Sequence, residues 1–182
     1  MRIISGKFRG LQLRAPGSLP VRPTTDFAKT GLFNILSNRF DLDECDVLDL
    51  YAGTGSLSLE FVSRGIKSCI AVDKDPGCIR YMKSVNTQLE TSGTLQVLQA
   101  DAIRYLKNCL NRFHIIVADP PYAITPAEEL TEIIFSRDLL LPGGVFILEH
   151  ASERSFANHP QFHEARKYGQ VSFTFFRDVT IA

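Results

Sequence analysis

Residues 118–122 read ADPPY and follow the apolar run FHIIV. Asp119 offers a carboxylate, Pro120 and Pro121 lack N–H groups, and Tyr122 offers an aromatic face. An exocyclic amine on a nucleobase is a poor nucleophile, because its lone pair is delocalised into the ring. Two acceptors that bind its two hydrogens pull the nitrogen toward tetrahedral geometry and aim the lone pair at an electrophile. Asp119 can be one acceptor. The carbonyl of Pro120 can be the other, since the prolines fix the backbone and remove competing donors. Tyr122 then gives a base taken out of its stack a surface to lie on. The plainer alternatives are a strand-ending proline turn and a core-capping tyrosine.

Three more acids recur in the same setting. Asp49 lies in LDLYAGTGS, Asp73 ends the run CIAVD, and Asp101 ends LQVLQAD. One Asp after an apolar run is accounted for as a helix cap; four after four successive runs are not. Gly53 and Gly55 let a backbone turn approach a ligand, and Asp73 lies 20 positions after Gly53, the offset of a carboxylate that grips ribose hydroxyls. A dinucleotide is the first rival. Ser58 fills its third small position, and Asp49, four residues before Gly53, would repel a pyrophosphate. S-adenosylmethionine has no phosphate and carries a cationic sulfonium and ammonium, so an acid at this turn suits it. The cofactor set is then Asp49, Ala52, Gly53 and Gly55 at the turn, Asp73 on the ribose, and Asp101 with the N–H of Ala102 on the adenine edge.

The elements that must hold these residues follow from periodicity. VLDL (47–50), CIAVD (69–73), LQVLQAD (95–101), HIIVAD (114–119) and GVFILEH (144–150) are short apolar strands. Between them lie helical segments: SLSLEFVSRG, a stretch from Asp75 to Leu89, one from Ala102 to about Leu110, and one from Pro126 to Phe135. Near-continuous apolar strands alternating with helices predict a parallel sheet covered on both faces, hence an α/β, doubly wound, Rossmann-like fold. FHEARKYG and QVSFTFFRD predict an antiparallel pair at the edge, with Phe173, Phe175 and Phe176 in the core. RIISGKFRGLQLR reads as a short N-terminal β-ribbon. TTDFAKTGLFNIL then starts a helix capped by Thr25 or Asp26, with Phe27, Leu32, Phe33, Ile35 and Leu36 as its apolar face. At 182 residues the chain is expected to be one domain, residues 1–182, with residues 1–20 as an appendage.

Net charge is zero, but its distribution is uneven: five of the 20 basic residues, Arg2, Lys7, Arg9, Arg14 and Arg22, precede the first acid, Asp26. A basic arm on an acidic body suits an anionic polymer such as RNA, and equally a solvated ribbon. Cysteines 45, 69, 78 and 109 form no C-x-x-C pair and read as buried thiols of a reducing compartment. His159 and His163 are separated by Pro160, without a cysteine pair beside them, so no metal is expected. No apolar run reaches the length of a membrane span, and a cytoplasmic location follows.

Beyond these local signals, LDLYAGTGSLSLE resembles motif I of the class I methyltransferases that use S-adenosylmethionine. AVDKD resembles motif II, QAD motif III, and DPPY motif IV of the amine-methylating members. RIISGKFRG, RPTTDFAKTGLFNIL and RKYGQ are similar to stretches of the RsmD family, the bacterial 16S rRNA guanine-N2 methyltransferases, so the resemblance spans almost the whole chain. It implies a seven-stranded methyltransferase sheet with the last strand antiparallel. It also implies S-adenosylmethionine as donor, S-adenosylhomocysteine as product, a monomer, and 16S rRNA or the small ribosomal subunit as partner. The loop with Arg22, Thr24 and Thr25 would lie beside the site. The chain departs from the family at Thr30, where an acid is usual, and at Tyr51 and Thr54, where Phe and Ser are common. DPPY-type sites elsewhere modify adenine N6 or, as NPPY, protein glutamines; the added domains those enzymes carry find no room here. An idle module that binds the cofactor or RNA has no use for an amine-shaped acceptor pair.

Overall fold

A computed structural model describes residues 1–19, 25–121 and 127–178. In chain order the elements are α1 (Asp26–Arg39), β1 (Asp46–Leu50), α2 (Ser56–Ser63), β2 (Ser68–Asp73), α3 (Pro76–Gln88), β3 (Leu95–Gln99), α4 (Ala102–Asn108), β4 (Phe113–Ala118), α5 (Ala127–Ser136), β5 (Leu140–Ala151), β6 (Phe162–Tyr168) and β7 (Val171–Phe176). The strands form one seven-stranded sheet in the order β3-β2-β1-β4-β5-β7-β6. Pairing is parallel from β3 to β5, and β7 runs antiparallel to both β5 and β6. The doubly wound sheet with an antiparallel edge is as the apolar pattern predicts. The fifth strand starts earlier than expected, at Leu140, and its ladder with β4 shifts register between Phe113 and Ile115.

Side chains on successive strand positions point to opposite faces, so each central strand feeds two cores. Val47, Ile115, Val117 and Ile147 pack on one face against α1, α2 and α3. Leu48, Leu50, Ile116, Phe146 and Leu148 pack on the other against α4 and α5. Phe173 and Phe175 join the first core and Phe176 the second, as predicted. All four cysteines are buried with free thiols. Thr25 caps α1, its hydroxyl accepting from the Ala28 N–H at 3.2 Å. Phe27 departs from expectation. It stands 70% exposed, because the core side of that turn is taken by Ala28 and Lys29.

The N-terminal ribbon is stitched by backbone bonds Ile3 to Leu11, Gly10 to Ile3 and Leu13 to Met1. Its Ile3 and Leu13 are buried in the first core, while Arg2, Lys7, Arg9 and Arg14 face solvent. A buried ion pair anchors it. Lys29 Nζ lies 3.7 Å from Glu60 Oε2, with both side chains essentially inaccessible. The Glu60 carboxylate also accepts from Ile4 N (2.8 Å), Ser5 N (3.1 Å) and Arg64 Nε (2.9 Å), and Lys29 donates to the Arg2 carbonyl. Burial lowers the Lys29 pKa, and the Glu60 charge opposes that shift. α2 is thus buried nearly all round, between the sheet and the ribbon. Among the described residues no helix is long and apolar enough to cross a membrane.

Candidate active site

The sheet reverses its winding between β1 and β4, and ligands of such sheets bind beyond the strand ends at that point. The chain leaving β1 turns sharply, with left-handed φ values at Tyr51 (59°), Gly53 (55°) and Gly55 (78°). Tyr51 is the unusual one, since a side chain in this region is strained and such strain collects at functional sites. The Asp73 carboxylate ties the turn down. Oδ2 accepts from Gly53 N at 2.8 Å, and Oδ1 accepts from Asp75 N at 2.8 Å. A carboxylate has about four acceptor positions, so roughly two remain for a ligand.

Asp49 is only 2% exposed and takes two bonds from Ser58, one from its N–H at 3.0 Å and one from its hydroxyl. Burial pushes its pKa up to about 7; the Ser58 bonds oppose the rise and the Asp73 charge adds to it. Ser58, which breaks the dinucleotide glycine pattern, is therefore the residue that holds the acid. A buried carboxylate near neutrality gains most from a cationic ligand.

At the end of β4 the Asp119 N–H donates to the Leu50 carbonyl at 3.4 Å, carrying the β1–β4 ladder one step further. Asp119 is partly exposed, Pro120 buried and Pro121 exposed. All three open onto one cavity of about 880 Å³, whose walls also include Asp49, Ala52, Gly53 and Asp73. Of the residues expected from sequence, Asp49, Ala52, Gly53, Asp73, Asp119, Pro120 and Pro121 therefore meet in one place. Gly55 shapes the same turn from the α2 N-cap. Asp101 and Ala102 are not among the described lining residues: the Asp101 carboxylate caps α4 by accepting from Arg104 N at 3.0 Å, and Ala102 is buried. Tyr122, Arg22 and Thr24 lie outside the described residues. Among the described residues no cluster of His, Cys, Asp and Glu suits a metal ion.

Phe27, Lys74, Glu149 and Tyr168 are among the lining residues that the sequence does not single out for the site. Glu149 is 3% exposed and follows Leu148, which pairs with Ala118 across the β4–β5 ladder. Asp119 follows Ala118 as Glu149 follows Leu148, and both line the cavity. A signal for it exists, because GVFILEH is a fifth apolar run that ends in an acid. Tyr168 precedes the turn Gly169–Gln170 that joins β6 to β7. Its ring lies against Gly31 of α1, where a Cβ would come within 2.1 Å of it.

Residues 1–177 match the family described as Conserved hypothetical protein 95. The protein of Bacillus subtilis strain 168 described as "Putative rRNA methyltransferase YlbH" is 38% identical over 156 residues, 84% of each chain. Ribosomal RNA small subunit methyltransferase D of Escherichia coli K12 is 27% identical over 180 residues, 97% of this chain and 89% of that one. Among solved structures, a hypothetical protein of Thermus thermophilus, TTHA0928, superposes with a TM-score of 0.84 at 29% identity, covering 97% of this chain and 99% of the other.

Proposed function

The chain belongs to the RsmD family, and from that premise we propose that it transfers a methyl group from S-adenosylmethionine to the N2 amine of a guanine in small-subunit rRNA. One observation carries this: Asp119 and Pro120, the two amine acceptors, line the same cavity as the Asp49–Gly53–Asp73 turn.

The residues fit the cofactor by the chemistry of their donors and acceptors. Asp49 is a buried acid suited to a cation, Asp73 has acceptor positions to spare, and the glycine turn lets backbone come close. Bound there, S-adenosylmethionine would supply a methyl group made electrophilic by its sulfonium. The protein's own share is positioning. Asp119 and the Pro120 carbonyl each accept one hydrogen of the amine, which localises the nitrogen lone pair and orients it. Once nitrogen gains a carbon it is cationic and acidic, so its proton passes to Asp119 or water without a strong base. The fixed carboxylate meets the positive charge as it develops, without reorganising.

Glu149 favours guanine over adenine. The guanine edge presents N1–H beside the two N2 hydrogens, three donors in a row, and Asp119 and Glu149, each one residue past the paired Ala118 and Leu148, are two acids lining the same cavity. Adenine presents an N1 lone pair there, which a carboxylate repels. The exposed Arg2, Lys7, Arg9 and Arg14 suit phosphate contacts that position an RNA. The same reading makes the protein a cytoplasmic monomer that acts on 16S rRNA or the small subunit.

The test supplies labelled S-adenosylmethionine and small subunits that lack the modification. Label is expected in N2-methylguanosine of the rRNA; label in DNA or protein instead refutes the substrate. Asp119→Ala should lower turnover by about 100-fold or more while cofactor affinity persists. Unchanged turnover would remove Asp119 from the chemistry.

A further inference from the structure

The geometry points to Phe27 as the aromatic surface on which the target base of the RNA stacks once it leaves its helix. This inference rests on the RNA-methylation reading above and adds a substrate-binding residue that the DPPY segment does not contain. Phe27 is 70% exposed, yet it is held in place. The Thr25 cap and the buried neighbours Ala28 and Lys29 fix the first turn of α1. The ring meets Tyr168 edge to face, with centroids 5.6 Å apart and planes at 77°. Tyr168 is in turn fixed by the close approach to Gly31 and by Phe173 at 5.9 Å.

A lone exposed apolar side chain needs no explanation, and Leu110, 91% exposed, receives none. Phe27 differs because it lines the cavity. Its place along the sheet decides which ligand it serves. In the order β2-β1-β4-β5-β7-β6, the turn after β1 and Asp73 after β2 lie on one side of Asp119. Glu149 on β5 and the β6–β7 turn with Tyr168 lie on the other. Phe27, paired with Tyr168, is thus across Asp119 from the cofactor turn, where the amine-bearing ring must come. A planar base that slides over a preorganised aromatic ring covers apolar surface and aligns its edge with the two carboxylates, and stacking of this kind recognises unpaired bases in RNA.

The test measures methylation of small subunits by wild-type protein and by Phe27→Ala, Phe27→Leu and Phe27→Tyr, together with cofactor affinity and melting temperature. Phe27→Ala should lower kcat/KM for the RNA substrate by about 5- to 150-fold, with cofactor affinity within about twofold of wild type and the melt unchanged. Phe27→Tyr should restore activity and Phe27→Leu should not. Three results overturn the inference: full activity in Phe27→Ala, full activity in Phe27→Leu (mere apolar contact), or a matching loss of cofactor affinity (a cofactor wall). Wild-type protein that places no label in rRNA removes the underlying reading as well, and is told apart because no variant is needed to see it.

Discussion

Replacing Asp49 by asparagine should stabilise the fold and weaken cofactor binding together. The folded protein holds the Asp49 proton more tightly than the unfolded chain does, with a pKa of about 7 against 3.8. Between those values the folded state binds more protons, so this group's contribution falls as pH rises through the window. It then stays unfavourable above it. At roughly 1.4 kcal/mol for each pH unit between the two values, that penalty is on the order of 4 kcal/mol at about pH 8 and above. Asparagine keeps an acceptor for the Ser58 N–H and hydroxyl but cannot ionise. Urea unfolding of both proteins from about pH 5 to 8.5 should give a stability difference that grows with pH and favours Asp49→Asn by a few kcal/mol at the upper end. For a chain of this length that corresponds to a melting shift of roughly 2–4 °C per kcal/mol. Titration calorimetry with S-adenosylmethionine at about pH 8 should show affinity reduced about 10- to 150-fold, the worth of a hydrogen bond to a charged group. In the wild type, binding should release protons near neutral pH. A pH-independent stability difference, or a variant less stable at the alkaline end, would refute the account of Asp49 as a destabilising acid.

Glu60→Ala leaves Lys29 buried without its counter-charge and removes the acceptor for Ile4 and Ser5. The expected loss is about 3–5 kcal/mol in urea unfolding; a loss below about 1 kcal/mol would show the pair to be incidental. Replacing Lys7 and Arg9 together should weaken RNA binding and reduce the slope of log affinity against log salt by about 1.4, measured by filter binding, while cofactor affinity stays constant. Loss of cofactor affinity alone would mean the ribbon does not face RNA.

Much of the site is local chemistry, and local chemistry is legible. ADPPY and the glycine turn carry their meaning within a few residues, Asp73 carries it by its offset of 20 positions from Gly53, and the strand alternation that feeds two cores is written as apolar runs. Other features depend on partners far along the chain. Lys29 and Glu60 carry no local signal of burial; they are buried because the ribbon closes over both. Phe27 sits in an apolar pattern at helical spacing and reads as core, yet the helix turns it toward the cavity. Asp101 follows the same pattern as Asp49 and Asp73, and only the fold shows that its carboxylate also caps α4 and that it is not among the described residues lining the cavity.

By itself, then, the sequence determined the strand–helix alternation, the glycine turn and the acids at strand ends, because periodicity and turn chemistry act over short separations. Only the tertiary structure decided which strand ends become neighbours. Parallel pairing of Ala118 on β4 with Leu148 on β5 brings the residues that follow them, Asp119 and Glu149, to one end of the sheet, and the β6–β7 hairpin brings Tyr168 to Phe27. Those contacts join segments far apart along the chain, and the order of strands that creates them arises from packing two faces at once, which no single stretch of the chain encodes.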